Sequence, residues 1–275
     1  MKTVIKWFRD HRSMTMIISM AYFALVILPH EWVGVNITRV FSGMTRDHYN
    51  LIVLAIFIAV ALALGVIVYK NLIAHPSRHL LLGYLIFTSL CIVAVSRYLF
   101  VINIECVHYI QYGIGAILIF SLLEHYFVAL FITFFIGVLD EGYQYFYLSP
   151  DRTNYYDFND IITNLLGAAV GLLLLKTYQI RQKSTSWKIM MGGFVFPLVL
   201  FTSLFIGMIQ TNRLAIYPTD VPYVLVKKVQ DGIWTTVPPD VTFHVVQPLE
   251  GLAAIIGLFA IYYFCFRDRI TMQSD

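Results

Sequence analysis

Eight stretches of the chain are long and apolar enough to cross a lipid bilayer, and polar segments separate them. They lie at about 14–32, 50–69, 79–100, 106–123, 125–140, 161–178, 189–209 and 250–266. A helix needs about 20 mostly apolar residues to cross the hydrocarbon core. Only Leu123-Glu124-His125 divides the fourth stretch from the fifth, which predicts a tight helical hairpin. The pattern predicts an all-α polytopic membrane protein with about eight transmembrane helices.

Lys and Arg residues are distributed unevenly between the polar segments. With the N-terminus in the cytoplasm and eight alternating spans, the inner segments hold 12 of the 19 basic residues. Basic residues favour the cytoplasmic side, so both termini are predicted to be cytoplasmic. The longest outer segment, about 210–249, has runs rich in β-branched residues that the turn dipeptides Asp231-Gly232 and Pro238-Pro239 separate from one another. This alternation predicts a small extracytoplasmic β cap.

Composition supports a membrane protein. Hydrophobic residues make up 59% of the chain and charged residues 13%, whereas a soluble domain has about 45–50% apolar and about 25% charged residues. The net charge of +3 comes without a dense basic block and does not indicate a nucleic-acid partner. No small-x-small cleavage site follows the basic N-terminus and first apolar run, so we interpret that run as a retained span.

Glu105, His108 and Tyr112 begin the fourth span, at its predicted outer end. Their spacing of three and four residues places them on one helical face. A carboxylate and an imidazole one turn apart can exchange a proton or orient one another. The alternative is that they hold helices together, although ionisable residues inside membrane segments more often serve a function.

Further polar residues lie at the outer ends of the next two spans. Asp140-Glu141, followed by Gln144, ends the fifth span, and the hairpin brings this end close to His108. The sixth span has one polar and small-residue face, which consists of Asp157, Asp160, Asn164, Gly167 and Gly171. The glycines form a small-xxx-small pattern that lets another helix approach closely. Helix capping is the alternative role for the two aspartates.

Arg152 and Glu250 belong to the same predicted outer side. Arg152 can neutralise the acidic residues, or hold a phosphate or carboxylate through its forked guanidinium. Glu250 starts the last span and is expected to line the same depression. A metal site made of Glu105, His108, Glu141 and Asp160 is a further alternative, but no HExxH or comparable spacing supports it. The sequence identifies no cofactor.

These motifs together resemble the VanZ-like family of membrane proteins. The resemblance rests on Glu141-x-x-Gln144, Arg152 and Asp157-x-x-Asp160-x-x-x-Asn164-x-x-Gly167-x-x-x-Gly171. Glu105-Cys106-x-His108-x-x-x-Tyr112 is similar to an earlier D-K-x-x-H-x-x-x-Y element, with Glu replacing Asp and Cys106 replacing Lys. It implies a VanZ-like membrane domain of six spans at 1–188. Residues 189–275, with two spans around the 210–249 cap, extend beyond it.

The resemblance implies a protein of the bacterial cytoplasmic (inner) membrane with a cell-envelope role, and the name of the family comes from glycopeptide resistance. We expect an extracytoplasmic site that binds or processes an envelope lipid or lipid-linked molecule. If it is catalytic, His108 is the expected base, Glu105 or Glu141 orients it, and Asp160 assists. The sequence leaves open catalysis, simple binding in antibiotic resistance and, less favoured, transport. Protein partners are not indicated.

Overall fold

The computed structural model describes residues 1–100, 103–144, 158–183, 199, 203, 246 and 248–266. Nearly all of them are helical, and no strand occurs among them. The helices are α1 (Lys2–Asp10), α2 (Arg12–Ile27), α3 (His30–Phe41), α4 (Arg46–Ile73), α5 (Arg78–Tyr98), α6 (Val107–Leu123), α7 (Tyr126–Tyr143), α8 (Phe158–Thr177) and α9 (Pro248–Phe266). A 3₁₀ turn, Asn103–Cys106, precedes α6.

Six of the described helices, α4 to α9, are long and apolar enough to cross a membrane. The prediction of a helical chain with several membrane-length apolar helices is therefore confirmed for the described residues, and the count of eight spans stays a prediction. Helices α2 and α3 together are also long and apolar enough to form one span, which would be bent by 55° where they meet. Four predicted features lie outside the described residues: the seventh span at 189–209, the β cap at 210–249, Arg152 and Asp157. Only a few isolated positions of the span and the cap are described.

The first span differs from its predicted limits of 14–32. Helix α2 ends at Ile27, and α3 begins at His30, within the predicted span, and continues to Phe41 through the stretch predicted as an outer loop. Pro29 has no N–H to donate to the preceding helical turn, which favours a break at this point. The bend places His30 at the junction of the two helices.

Helices α6, α7 and α8 form the centre of the bundle. In α8, 83% of the most apolar 18-residue stretch is buried by other parts of the protein. None of the corresponding stretch of α4 is buried. The apolar side chains of α4, such as Leu62 and Val66, are instead exposed on its surface. Lipid is the solvent that such a surface requires.

The predicted hairpin between α6 and α7 is present. Glu124 ends α6 in the left-handed conformation at φ 56°, and its N–H donates to the Phe120 carbonyl at 2.7 Å. The His125 ring then accepts the N–H of Val128 and caps α7. A reversal within two residues makes α6 and α7 antiparallel neighbours, so residues that start α6 lie beside those that end α7.

The helix termini give the bundle two chemically different ends. We call the end formed by the start of α6, the end of α7 and the starts of α8 and α9 the acidic end, after Asp140, Glu141 and Asp160. The opposite end contains the α6–α7 turn, α1 and the residues that follow α8. We call it the basic end, after Arg9, Arg12, Arg181 and Lys183.

Candidate functional site

A hydrogen-bonded carboxylate lies at the centre of the acidic end. The Tyr112 hydroxyl on α6 donates to Asp140 Oδ2 on α7 at 2.7 Å. Gln144 Nε2 lies 3.3 Å from Asp140 Oδ1 and 3.1 Å from Glu141 Oε1, so one amide links both carboxylates. Asp140 is fully buried and Glu141 is 3% exposed. Buried carboxylates in a membrane bundle are costly unless they are paired or functional.

An imidazole on α6 extends this network to α8. His108 Nδ1 lies 2.9 Å from Asn164 Oδ1, and both residues are buried. The His108 ring also stacks above Tyr112, with the ring centroids 6.2 Å apart. A hydrogen bond at Nδ1 fixes the orientation of the ring and the choice of tautomer, as a general acid or base requires.

His30 and Asp160 complete the group of titratable side chains. The His30 ring, at the bend between α2 and α3, lies 5.8 Å from the His108 ring by centroids. Asp140 interacts electrostatically with both His30 and Asp160. Four elements therefore contribute to one site, since α6, α7, α8 and the α2–α3 junction all supply a titratable side chain to it.

One buried polar atom on α7 and one on α8 lack a hydrogen-bond partner among the described residues. Within the part of the chain that the structure describes, Asn164 Nδ2 and Thr133 Oγ1 have no hydrogen-bond partner. Gly137 lies one turn from Thr133 on α7, and a Cβ there would stand 3.1 Å from Asn164 Nδ2. Unsatisfied buried polar groups are uncommon in native proteins and call for an explanation such as a bound water or ligand.

The predicted glycines of α8 bring α6 close enough to form this site. A Cβ at Gly167 would lie 2.8 Å from both Cα and the carbonyl oxygen of Tyr109. A Cβ at Gly171 would overlap the backbone of Gly113. Because these glycines lie on the same face as Asn164, the close approach also brings Asn164 within hydrogen-bonding distance of His108.

The other predicted residues have different positions. Glu105 lies in the 3₁₀ turn before α6 and not in the helix itself, so the α-helical spacing applies only to His108 and Tyr112. Glu250 lies in the first turn of α9, on the acidic end, and is exposed. Arg152 and Asp157 lie outside the described residues, as stated above.

Sequence reasoning missed three contributors. Asp140 was treated only as a neighbour of Glu141, although its spacing of four from Gln144 was a usable signal. His30 had no assigned role, because only the α2–α3 bend brings it to His108. Asn159 donates to the Leu99 carbonyl at 3.4 Å and accepts the Val246 N–H at 3.0 Å, and thereby ties the start of α8 to its surroundings.

The chemistry of this group favours hydrogen bonding and proton transfer. Among the described residues, no three His, Cys, Asp or Glu side chains converge closely enough to hold a metal ion. Both oxygens of Asp140 are occupied by Tyr112 and Gln144. Comparisons of the chain with family models, with curated proteins and with solved structures found no match. The VanZ-like assignment therefore stays a prediction from the motifs.

Proposed function

We propose that the acidic end binds the polar head of a cell-envelope lipid or lipid-linked molecule and processes it by proton transfer. The proposal places the protein in the bacterial cytoplasmic membrane, with this end facing outward and both termini inside. The VanZ-like resemblance of Glu141, Gln144, Asp160 and Asn164 agrees with it. The observation that carries the proposal is the buried Asp140 carboxylate, which accepts from Tyr112 inside a bundle of membrane-length helices, with the His108 ring stacked on Tyr112.

In this proposal His108 acts as the general base and Asn164 is the positioning residue for its ring. An imidazole has an ordinary pKa near 6.5 in water, which suits proton transfer at neutral pH. Asp140 and Glu141, held in place by Tyr112 and Gln144, provide the negative charge that stabilises a protonated imidazole. The buried donor of Asn164 is available to a polar atom of the bound molecule.

The alternative is a protein that binds the same ligand without breaking a bond, as a resistance or capture factor would. Asp140→Asn and Glu141→Gln separate the two alternatives. Asp140→Asn keeps one oxygen that can accept from Tyr112 but loses the second acceptor, which Gln144 uses. Glu141→Gln keeps one oxygen that can accept from Gln144. Both remove the negative charge that acid–base chemistry needs. A binding site tolerates these changes better than a catalytic one.

One observation favours transport as a second candidate. Transport sites are often built where a membrane helix is interrupted, and α2 breaks next to His30. However, α2 has 16 residues before the break, which corresponds to a length of roughly 24 Å. The break therefore lies near the end of the span and not at the midplane, where transport sites usually lie. We rank transport below lipid binding for this reason.

The experiment measures which lipids the purified protein retains and which it converts into products. Wild-type protein and variants are purified, incubated in nanodiscs containing a total membrane lipid extract, and analysed by mass spectrometry of bound lipids and products. We expect wild-type protein to retain and convert a specific lipid species. His108→Ala should abolish conversion, with a loss of at least about 100-fold, which is typical when general acid–base catalysis is removed.

Ser121→Ala is the matched control. Ser121 lies on the same helix as His108, is buried and donates only to the Ile117 carbonyl within α6. It is 13 residues from His108, or roughly 20 Å along the helix. The binding alternative would be favoured if the wild type retains a lipid without converting it and if Asp140→Asn and Glu141→Gln retain it equally well. Wild-type behaviour of His108→Ala, Glu141→Ala and Asp160→Ala in both assays would refute the proposal.

A further inference from the structure

The basic end contains a depression of about 690 Å³ that the acidic-end site does not use. Its walls come from α1, the start of α2, the α6–α7 turn and the segment after α8. Six of the side chains around it are basic and two are acidic, and they are Lys2, Lys6, Arg9, Arg12, Arg181, Lys183, Asp10 and Glu124. The surplus of positive charge in a concave site favours an anionic ligand.

A buried carboxylate organises three of these cations. Glu124 accepts from Arg12 Nη2 and Lys183 Nζ, both at 2.6 Å, and pairs with Arg9 Nε at 3.4 Å. Its side chain is 5% exposed, whereas those of Arg12 and Lys183 are 58% and 64% exposed. Arg9 also donates to the Arg181 carbonyl at 3.0 Å. These contacts fix the position of the cations in the wall while part of each side chain stays accessible.

The other cations are available to a ligand. Among the described residues, the side chains of Lys2, Lys6 and Arg181 form no ion pair with a carboxylate. Glu124 and Asp10 together compensate only two of the six positive charges around the depression. An anion bound here would meet uncompensated ammonium and guanidinium groups, which are the usual ligands of phosphate in proteins.

Helix α1 indicates where this depression lies relative to lipid. Ile5 is buried against the bundle, whereas Val4 and Trp7 are 50% and 42% exposed. Trp residues are enriched at the water–lipid interface. A short basic helix with apolar residues that are not covered by protein is typical of a helix in the plane of the interface. The depression therefore lies at the level of lipid head groups.

We propose that this depression binds the phosphate group of an anionic lipid head group at the membrane surface. The site is distinct from the acidic end, because it lies at the opposite termini of α6, α7 and α8. The phosphate would contact Lys2, Lys6 and Arg181, and the Glu124 network would hold the wall in place. Anionic lipids are enriched beside cytoplasmic surfaces, where clustered Lys and Arg residues attract them.

The test uses purified full-length protein and soluble short-chain lipids as probes. Dissociation constants are measured for dihexanoyl phosphatidylglycerol and, as the zwitterionic comparison, dihexanoyl phosphatidylcholine. We expect phosphatidylglycerol to bind more tightly, and Lys2→Gln/Lys6→Gln to weaken it at least about tenfold, since each basic residue near an anionic surface contributes substantially. Both lysines are exposed and have no described ion pair, so the double variant should fold.

Lys70→Gln/Arg78→Gln is the matched control. It removes the same charge from the same end of the bundle, but neither residue lines the depression. We expect its affinity for phosphatidylglycerol to stay within about twofold of the wild type, as local contacts and not the general surface potential hold the lipid.

Three outcomes would overturn the proposal. Unchanged binding by Lys2→Gln/Lys6→Gln would show that the depression is not the site. An equal loss of affinity for phosphatidylglycerol in both double variants would show that general surface charge, and not the depression, attracts the lipid. If inorganic phosphate competes with phosphatidylglycerol and binds with the same affinity, the depression would be a site for a free phosphate ion. None of these measurements involves His108 or Asp140, so the proposed function can fail without affecting this result.

Discussion

At the scale of single residues, Glu124 shows how a buried charge is stabilised. It lies in the turn between two membrane-length helices, outside both of them. Burial raises the pKa of its carboxyl group, but hydrogen bonds from Lys183 and Arg12 and the charge of Arg9 outweigh this effect. Its pKa therefore lies below the ordinary value of 4.5. The charged form is thus favoured by the folded state over the unfolded state.

This shift predicts an acid-sensitive contribution to stability. A carboxyl group with a lowered pKa stabilises the fold fully above its unfolded pKa of about 4.5 and loses that contribution as the pH falls through its folded pKa. The midpoint of thermal unfolding in detergent should therefore drop as the pH is lowered from roughly 6 to roughly 3.

Glu124→Gln should lower the midpoint at neutral pH, because three cations lose their counter-charge. It should also flatten the decrease in acid. Asp10→Asn, an exposed carboxylate beside the same depression, is the control and should keep the wild-type slope. Parallel acid profiles for wild type and Glu124→Gln would contradict this account.

At the scale of elements, the packing of α6 against α8 depends on the absence of side chains at two positions. Gly167 contacts the backbone of Tyr109, and Gly171 contacts the backbone of Gly113. In lipid there is no hydrophobic driving force between helices, so close backbone packing and polar contacts supply much of the association. The same approach allows His108 and Asn164 to meet across the helix pair.

A single methyl group should therefore separate this helix pair. Gly171→Ala places Cβ against the Gly113 carbonyl, which is backbone and cannot rotate away. We expect destabilisation of about 1–3 kcal/mol, the usual cost of overpacking, measured as a lower thermal unfolding midpoint.

Gly65→Ala is the comparison for this helix pair. Gly65 lies within α4, and a Cβ there meets nothing within 4 Å. Replacing a glycine inside a helix by alanine should leave stability unchanged or raise it by about 0.5–1 kcal/mol. Equal destabilisation by the two substitutions would show that the close α6–α8 contact does not account for the loss at Gly171.

At the scale of the whole molecule, the polar groups are divided between the two ends of an apolar bundle. The acidic end holds Asp140, Glu141 and Asp160, whereas the basic end holds the six cations around the depression. Basic residues favour the cytoplasmic side of a membrane. The proposed orientation, with the acidic end outward, follows from this asymmetry.

Two serines at opposite ends of α4 can test the orientation. Ser42 lies just before α4 and Ser77 after it, and both are exposed. In a background without the native Cys91, Cys106 and Cys265, each is replaced by cysteine and treated with a membrane-impermeant maleimide. We expect Ser42→Cys to react in intact cells, and Ser77→Cys only after the membrane is permeabilised.

The reverse labelling pattern would invert the proposed topology. Reaction of both cysteines in intact cells would contradict α4 as a membrane span. Because both substitutions exchange one small side chain for another, neither should disturb the bundle. Labelling of Ser77→Cys after permeabilisation serves as the internal control for its reactivity.

Several features were determined by the sequence alone. The apolar stretches predicted membrane-length helices because lipid requires about 20 apolar residues for each span. The Leu123-Glu124-His125 break predicted the α6–α7 hairpin. Helical spacing placed Asn164 on the same face as Gly167 and Gly171, and His108 on the same face as Tyr112. These are local properties, since periodicity within one helix fixes which residues share a face.

Only the tertiary structure decided which faces meet. It paired His108 with Asn164 and Tyr112 with Asp140, and it brought His30 to the site through the α2–α3 bend. It also joined α1 to the segment after α8 through Glu124. Residues 28 to 115 positions apart in the chain form these contacts. Helical periodicity carries no information on the rotation and depth at which two helices pack.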